Sequence, residues 1–130
     1  VGASRDRSKF GNISVRAHLQ QGYEVFPVNP HADEVEGLPA FDSLSDVPVE
    51  NLDRVTVYLP PHLTLDLLDE VTEVEPAEVW LNPGSSDDDV RARAEQLGIE
   101  IIEACSIVDL GVSPHAVCST HLAPAEAAAI

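Results

Sequence analysis

Apolar residues along the chain alternate between the short-period or continuous runs of strands and the 3.6-residue spacing of helices. Residues 53–59 contain Val55, Thr56, Val57, Tyr58 and Leu59 in succession, a run suited to a central strand, and Pro60 and Pro61 end it. Residues 23–29 read as another strand, rich in aromatic and β-branched side chains. Pro27 removes one ladder donor from it, which suits a strand that lies towards a sheet edge or has only a short neighbour. Residues 78–81 and 99–102 are expected as further parallel strands, with 99–102 the last. Residues 38–41 are expected as a brief edge strand.

Helical spacing fills the intervals. Residues 10–21 set Ile13 and Ala17, and Val15 and Leu19, at i, i+4, and Gly22 stops that helix just beyond its cap. A helix opening near His62 carries Leu67, Leu68, Val71 and Val74 on one face and turns Asp66, Asp69, Glu70 and Glu73 to solvent, until Pro76 closes it. Ser86 with Asp89 three residues later has the form of a capping box for a helix ending at Gly98. Residues 43–47 make one helical turn, 103–113 turn outward, and the Ala-rich residues 123–130 read as a loosely held tail.

Strands alternating with helices specify an α/β, Rossmann-like, doubly wound fold: a mainly parallel sheet of five to six strands with helices on both faces. Residues 1–113 form the domain and 114–130 the tail. Val1 and Gly2 read as the end of a buried first strand, which needs several further residues before Gly2, so the native N-terminus is expected upstream of Val1. In a Rossmann-like order this strand is central, with the strands at 23–29 and 53–59 on either side. The loops after all three then converge where such folds bind ligands.

Composition narrows what that crevice meets. The 130 residues carry 23 Asp and Glu against seven Lys and Arg, a formal net charge of −16, which disfavours nucleic acid or an anionic membrane as a partner. Abundant carboxylates beside a single lysine, Lys9, are the pattern of a salt-adapted protein. Without an apolar run of membrane-spanning length or a signal peptide, the expected location is the cytoplasm. Cys105 and Cys118 lack metal or disulfide spacing, and His18, His62, His115 and His121 show none with them, so no metal is assigned.

Against this acidic background Arg5, Arg7 and Lys9 cluster in the first loop, the position of a phosphate-binding turn at a helix start. A dinucleotide fingerprint would have glycines where this chain has Gly2, Ser4 and Arg7, so only the first is present and the loop must hold its ligand differently. The second strand ends in Val28, Asn29, Pro30 and His31 without the carboxylate that takes an NAD ribose hydroxyl. Coenzyme A and NADP, with phosphorylated riboses, both suit that end.

The segments Val1 to Ser4, Val28 to Pro30, Ser43 to Pro48 and Val57 to Pro61 occur in an order and spacing that resemble the small stand-alone CoA-binding domain proteins. These are similar to the N-terminal Rossmann-like domain of the succinyl-CoA synthetase α subunit. The resemblance covers roughly residues 1–108. It implies that Gly2, Ala3 and Ser4 form the phosphate turn with Arg5 and Lys9 near the phosphates, and that Val28, Asn29 and Pro30 border the adenosine. It further implies that Tyr58, Leu59, Pro60 and Pro61 make the opposite wall, with Asn82, Pro83 and Gly84 further along the strand ends.

The cofactor so implied is coenzyme A or an acyl-CoA, bound as a small-molecule ligand by a domain with no catalytic residues of its own. No acid–base pair or activated nucleophile emerges from the sequence. Cys105, at the carboxyl edge of the sheet, is either a buried apolar residue or a thiol that CoA could reach. Two alternatives stay open: an accessory subunit or detached domain of an acyl-CoA ligase, completed by a partner chain, and an NAD(P)-binding redox sensor or oxidoreductase. The sequence also leaves open a homo-oligomer.

Overall fold

A computed structural model describes residues 1–111 and 126–130. The run read as a central strand forms one, Arg54–Val57, and all four of its residues are buried. In chain order the elements are α1 (Phe10–Gln20), β1 (Tyr23–Phe26), β2 (Glu34–Val35), β3 (Leu38–Pro39), a 3-10 turn (Leu44–Asp46), β4 (Arg54–Val57), α2 (Pro61–Val74), β5 (Glu78–Leu81), α3 (Asp88–Leu97), α4 (Ser106–Asp109) and β6 (Glu126–Ala129). The main sheet is parallel, in the order β1-β6-β4-β5, while β2 and β3 pair separately as an antiparallel ribbon. The Rossmann-like class is as expected, with four strands in the main sheet among the described residues.

The sheet alternates its faces with the two-residue period of strands. Phe26, Ala127, Ala129, Val55, Val57, Val79 and Leu81 share a cluster with Leu67, Leu68 and Val71 of α2 and Val90 and Ala94 of α3. Val25, Ala128 and Ile130 pack with Val15 of α1 on the other face, where Ile13 and Ala17 meet Ile107 of α4. Position 54 lies on the α4 side of β4. There the buried Arg54 guanidinium donates to Asp109 at 2.9 Å and Glu78 at 3.1 Å, over the Trp80 ring.

Three expectations are corrected. Residues 126–130, expected in the tail, make the central strand: Val25 lies opposite Ala128, and Val55 opposite both Ala129 and Val79. Alanine has weak strand preference, and burial between β1 and β4 overrides it. Residues 99–102, expected as the last parallel strand, contribute one bridge, Ile102 against Trp80. The third helix is capped by Asp87, whose carboxylate accepts from Val90 N–H at 2.9 Å, rather than by Ser86. Residues 114–125, with Cys118, His115 and His121, lie outside the described residues.

Val1 stands in line after Ile130. The Ile130 N–H donates to the Phe26 carbonyl and the Val28 N–H to that of Ile130. The Gly2 N–H then donates to the Val28 carbonyl, and the Tyr58 N–H to that of Val1. Residues 126–130 and Val1 thus lie in one line along the middle of the sheet. Gly2 leaves the strand at φ +97°, and a Cβ there would stand 2.7 Å from the Tyr58 carbonyl oxygen. A Cβ at Gly11 would stand 2.3 Å from the Gly2 carbonyl oxygen, so the first turn of α1 presses directly on the strand end.

Gly11→Ala must therefore push helix and strand apart, at a cost of about 1–3 kcal/mol, the range for overpacked interiors. Urea unfolding should show a lowered midpoint with an unchanged slope.

His18 is fully buried in α1, its Nδ1 donating to the Ser14 carbonyl at 2.8 Å and its ring edge-on to Tyr23. Burial is the main cause that lowers its pKa to about 4. Between pH 6.5 and about 4 the unfolded chain binds a proton at this ring that the folded chain does not, so stability is full above that window and falls as pH drops through it. Urea unfolding at pH 7 and pH 4.5 should differ by up to about 3 kcal/mol from this group. A His18→Gln variant should show a smaller difference.

Candidate functional site

The loop between Ser4 and Lys9 is ordered by its own side chains. Ser4 Oγ accepts from the Asp6 N–H at 3.1 Å, and Asp6 Oδ1 accepts from the Ser8 N–H at 3.0 Å and the Ser8 hydroxyl at 2.6 Å. The Ser8 hydroxyl is the main cause that lowers the Asp6 pKa. Asn12, buried in the first turn of α1, donates to the Ser4 carbonyl at 2.9 Å and accepts from Arg16 Nε at 2.8 Å. Glu36, in the tight turn between β2 and β3, pairs with Arg7 at 3.4 Å and accepts from Asn12 at 3.2 Å. This tie turns Arg7 towards the ribbon.

The second loop is bound to the first through Asn29. Its Nδ2 donates to the Ala3 carbonyl at 2.7 Å, and its Oδ1 accepts from the His31 N–H at 2.8 Å. The third and fourth loops rest on a buried polar cluster on the α4 side of β4. Asn82 donates to Thr56 Oγ1 at 2.7 Å and to the Val57 carbonyl at 3.0 Å, and its Oδ1 accepts from the Ser106 N–H at 2.8 Å. Thr56 and Tyr58 hydroxyls lie 2.8 and 3.1 Å from Ser106 Oγ, and burial pushes the Tyr58 phenol pKa up. Ser85 Oγ donates to the Val57 carbonyl at 3.0 Å.

These loops enclose a cleft of about 690 Å³ at the carboxyl ends of the strands, within the range that holds a cofactor-sized ligand. Of the residues singled out from the sequence, Gly2, Ala3, Ser4 and Lys9 line one side, with Val28, Asn29 and Pro30 beside them. Tyr58, Leu59 and Pro60 line another side, with Pro83 and Gly84 at its end. Three do not line it. Arg5 is exposed on the loop, Pro61 is the first residue of α2, and Asn82 is buried beneath the cleft with its polar atoms used in the scaffold.

Other lining residues were not marked by the sequence. Phe10 and Leu63, 55% and 43% exposed, stand in the first turns of α1 and α2. Each continues an apolar stripe, Phe10 three residues before Ile13 and Leu63 four before Leu67, so periodicity assigns both to the core. Asp42, Asp66 and Glu70 also line the cleft, where Asp66 and Glu70 were expected simply to face solvent. Gly11 lines it too, and serves the close helix–strand packing that a later glycine of a dinucleotide fingerprint provides. Cys105 does not line it; it packs against Ile13, Ala17 and Ile107.

The fold recurs in solved structures. A conserved hypothetical protein from Pyrococcus furiosus is 33% identical with a TM-score of 0.75, over 83% of this chain and 93% of that one. A protein from Thermus thermophilus is also 33% identical with a TM-score of 0.75, over 84% and 83%. A dinucleotide-forming acetyl-coenzyme A synthetase from Ca. Korarchaeum cryptofilum, in complex with phosphate and ADP, is 27% identical with a TM-score of 0.67, over 79% of this chain and 24% of the synthetase. No curated protein matches the chain significantly. The family described as CoA binding domain matches residues 1–111, nearly the whole of the described fold: the chain belongs to the CoA binding domain family.

Proposed function

We propose that this domain binds CoA or an acyl-CoA reversibly in the cleft and has no catalysis of its own. The observation that carries the reading is the convergence of the Ser4–Lys9 loop, the Asn29 loop and the Tyr58–Pro60 segment on one cleft at the topological switch point, in a chain of the CoA binding domain family. In this reading Ser4, Lys9 and the amides opening α1 hold the diphosphate, where a helix start favours negative charge. Val28, Asn29 and Pro30 border the adenosine, Tyr58, Leu59 and Pro60 form the facing wall, and Pro83 and Gly84 extend it. Gly2 and Ala3 shape the turn, and Asn29 and Asn82 act chiefly by holding loops in place. Arg5 acts at longer range than Lys9.

A second reading makes the chain a detached domain of an acyl-CoA ligase completed by a partner chain. It is favoured by the likeness to the synthetase, of which this chain matches 24%.

Calorimetric titration with CoA and with NAD tests the main reading. CoA should bind more tightly, because the second strand ends in Asn29 and Pro30 without an acidic ribose acceptor. Tighter binding of NAD would replace this reading with a redox one.

Lys9→Ala should weaken CoA binding by about tenfold to a hundredfold, the equivalent of one charge-assisted hydrogen bond of roughly 1.5–3 kcal/mol. Arg5→Ala should weaken it less. Neither change should move the unfolding free energy by more than about 0.5 kcal/mol, since both side chains are exposed loop residues.

A further inference from the structure

Charge is unevenly placed around the cleft. Lys9, at the start of α1, lies on its α1 side, with His31 in the neighbouring loop. Asp42, beside the 3-10 turn, and Asp66 and Glu70, on successive turns of α2, put three carboxylates into the lining. The Glu70 carboxylate accepts from the Ser45 N–H at 3.3 Å and the Ser45 hydroxyl at 3.1 Å. Since α1 and α2 cover opposite faces of the sheet, the cation and two of the carboxylates flank the cleft from different sides. The carboxylates outnumber the lysine, and the whole chain adds a formal −16.

We infer that Asp42, Asp66 and Glu70 gate the site by ionic strength, so that CoA binds more tightly as salt rises. The inference rests on the CoA reading and deepens it. Phosphates seated on Lys9 and the α1 amides interact over hydrogen-bond distances, where salt has least effect. Repulsion from carboxylates elsewhere in the lining, and from the remaining surface, acts over longer distances and is removed as the Debye length falls from about 10 Å at 0.1 M to about 3 Å at 1 M. A phosphate site on a basic protein behaves oppositely, losing affinity with salt as attraction is screened. The three carboxylates, together with the net charge of the chain, thus make affinity rise with salt and penalise each additional ligand phosphate.

The test is calorimetry with CoA and dephospho-CoA at 0.05, 0.15 and 1 M KCl, on the parent chain, Asp42→Asn, and the double variant Asp66→Asn with Glu70→Gln. The parent should bind CoA at least about threefold more tightly at 1 M than at 0.05 M KCl, and dephospho-CoA should gain less. At 0.05 M each variant should bind CoA about two- to fivefold more tightly than the parent, converging with it at 1 M. Asp42→Asn leaves the Glu70–Ser45 contact intact, so it decides the matter if the double variant is unfolded. Affinity that falls with KCl in the parent, or variants that match the parent at 0.05 M, would overturn the inference while leaving the CoA reading standing. Absence of CoA binding at every KCl concentration would remove both.

Discussion

The structure depends on two places where backbone meets backbone with no room for a side chain. Gly2 lies against the Tyr58 carbonyl, and Gly11 against the carbonyl of Gly2. The end of the central line of the sheet, the end of β4 and the first turn of α1 are thereby fixed within van der Waals contact. Because the cleft is bounded by these three pieces, its floor is set by main chain, which no change of rotamer can alter. The basic loop is then suspended over the floor by Asn12 from the helix and Asn29 from the neighbouring loop.

Much of this was legible in the pattern of residues. The strands at β1, β4 and β5, and the helices between them, follow from period, proline and glycine, and the crossover rules then place the three loops together. What escaped has physical causes. Residues 126–130 offered only a glutamate, three alanines and an isoleucine, and their place was decided by partners far away in sequence. Residues 53–59 read as an apolar run for a central strand, yet Arg54, Thr56 and Tyr58 share one face and reach Asp109 and Ser106 of α4, which local sequence could not show. Phe10 and Leu63 keep the expected helical phase, but the first turns of α1 and α2 flank the cleft instead of lying over the sheet.

Two asparagines tie the loops around the cleft to their surroundings. Asn29 donates to the Ala3 carbonyl of the first loop and accepts from His31 within its own, while Asn82 donates to Thr56 of β4 and accepts from Ser106 of α4. The cleft lining also offers Ser4 and Lys9, Phe10 and Leu63 at the helix starts, and Asp42, Asp66 and Glu70. Glu36 works in the same sense: by engaging Arg7 and Asn12 from the β2–β3 turn it joins the basic loop to a ribbon outside the main sheet.

The position of β6 has a consequence for how the chain can fold. β1 and β4 do not pair with each other; each pairs with β6, Tyr23 with Glu126 and Arg54 with Ala128. Without those residues the two sides of the sheet, α1 with β1, and β4 with α2, β5 and α3, are joined by backbone hydrogen bonds among the described residues only at the strand end, where the Gly2 N–H donates to Val28 and the Tyr58 N–H to Val1. Closing the gap spans nearly the whole chain, and contacts so distant in sequence slow folding because loop entropy is lost before packing rewards it. Cooperativity therefore resides in a segment of alanines: the side chains that contribute least to local strand preference are the ones through which the two halves become a single domain.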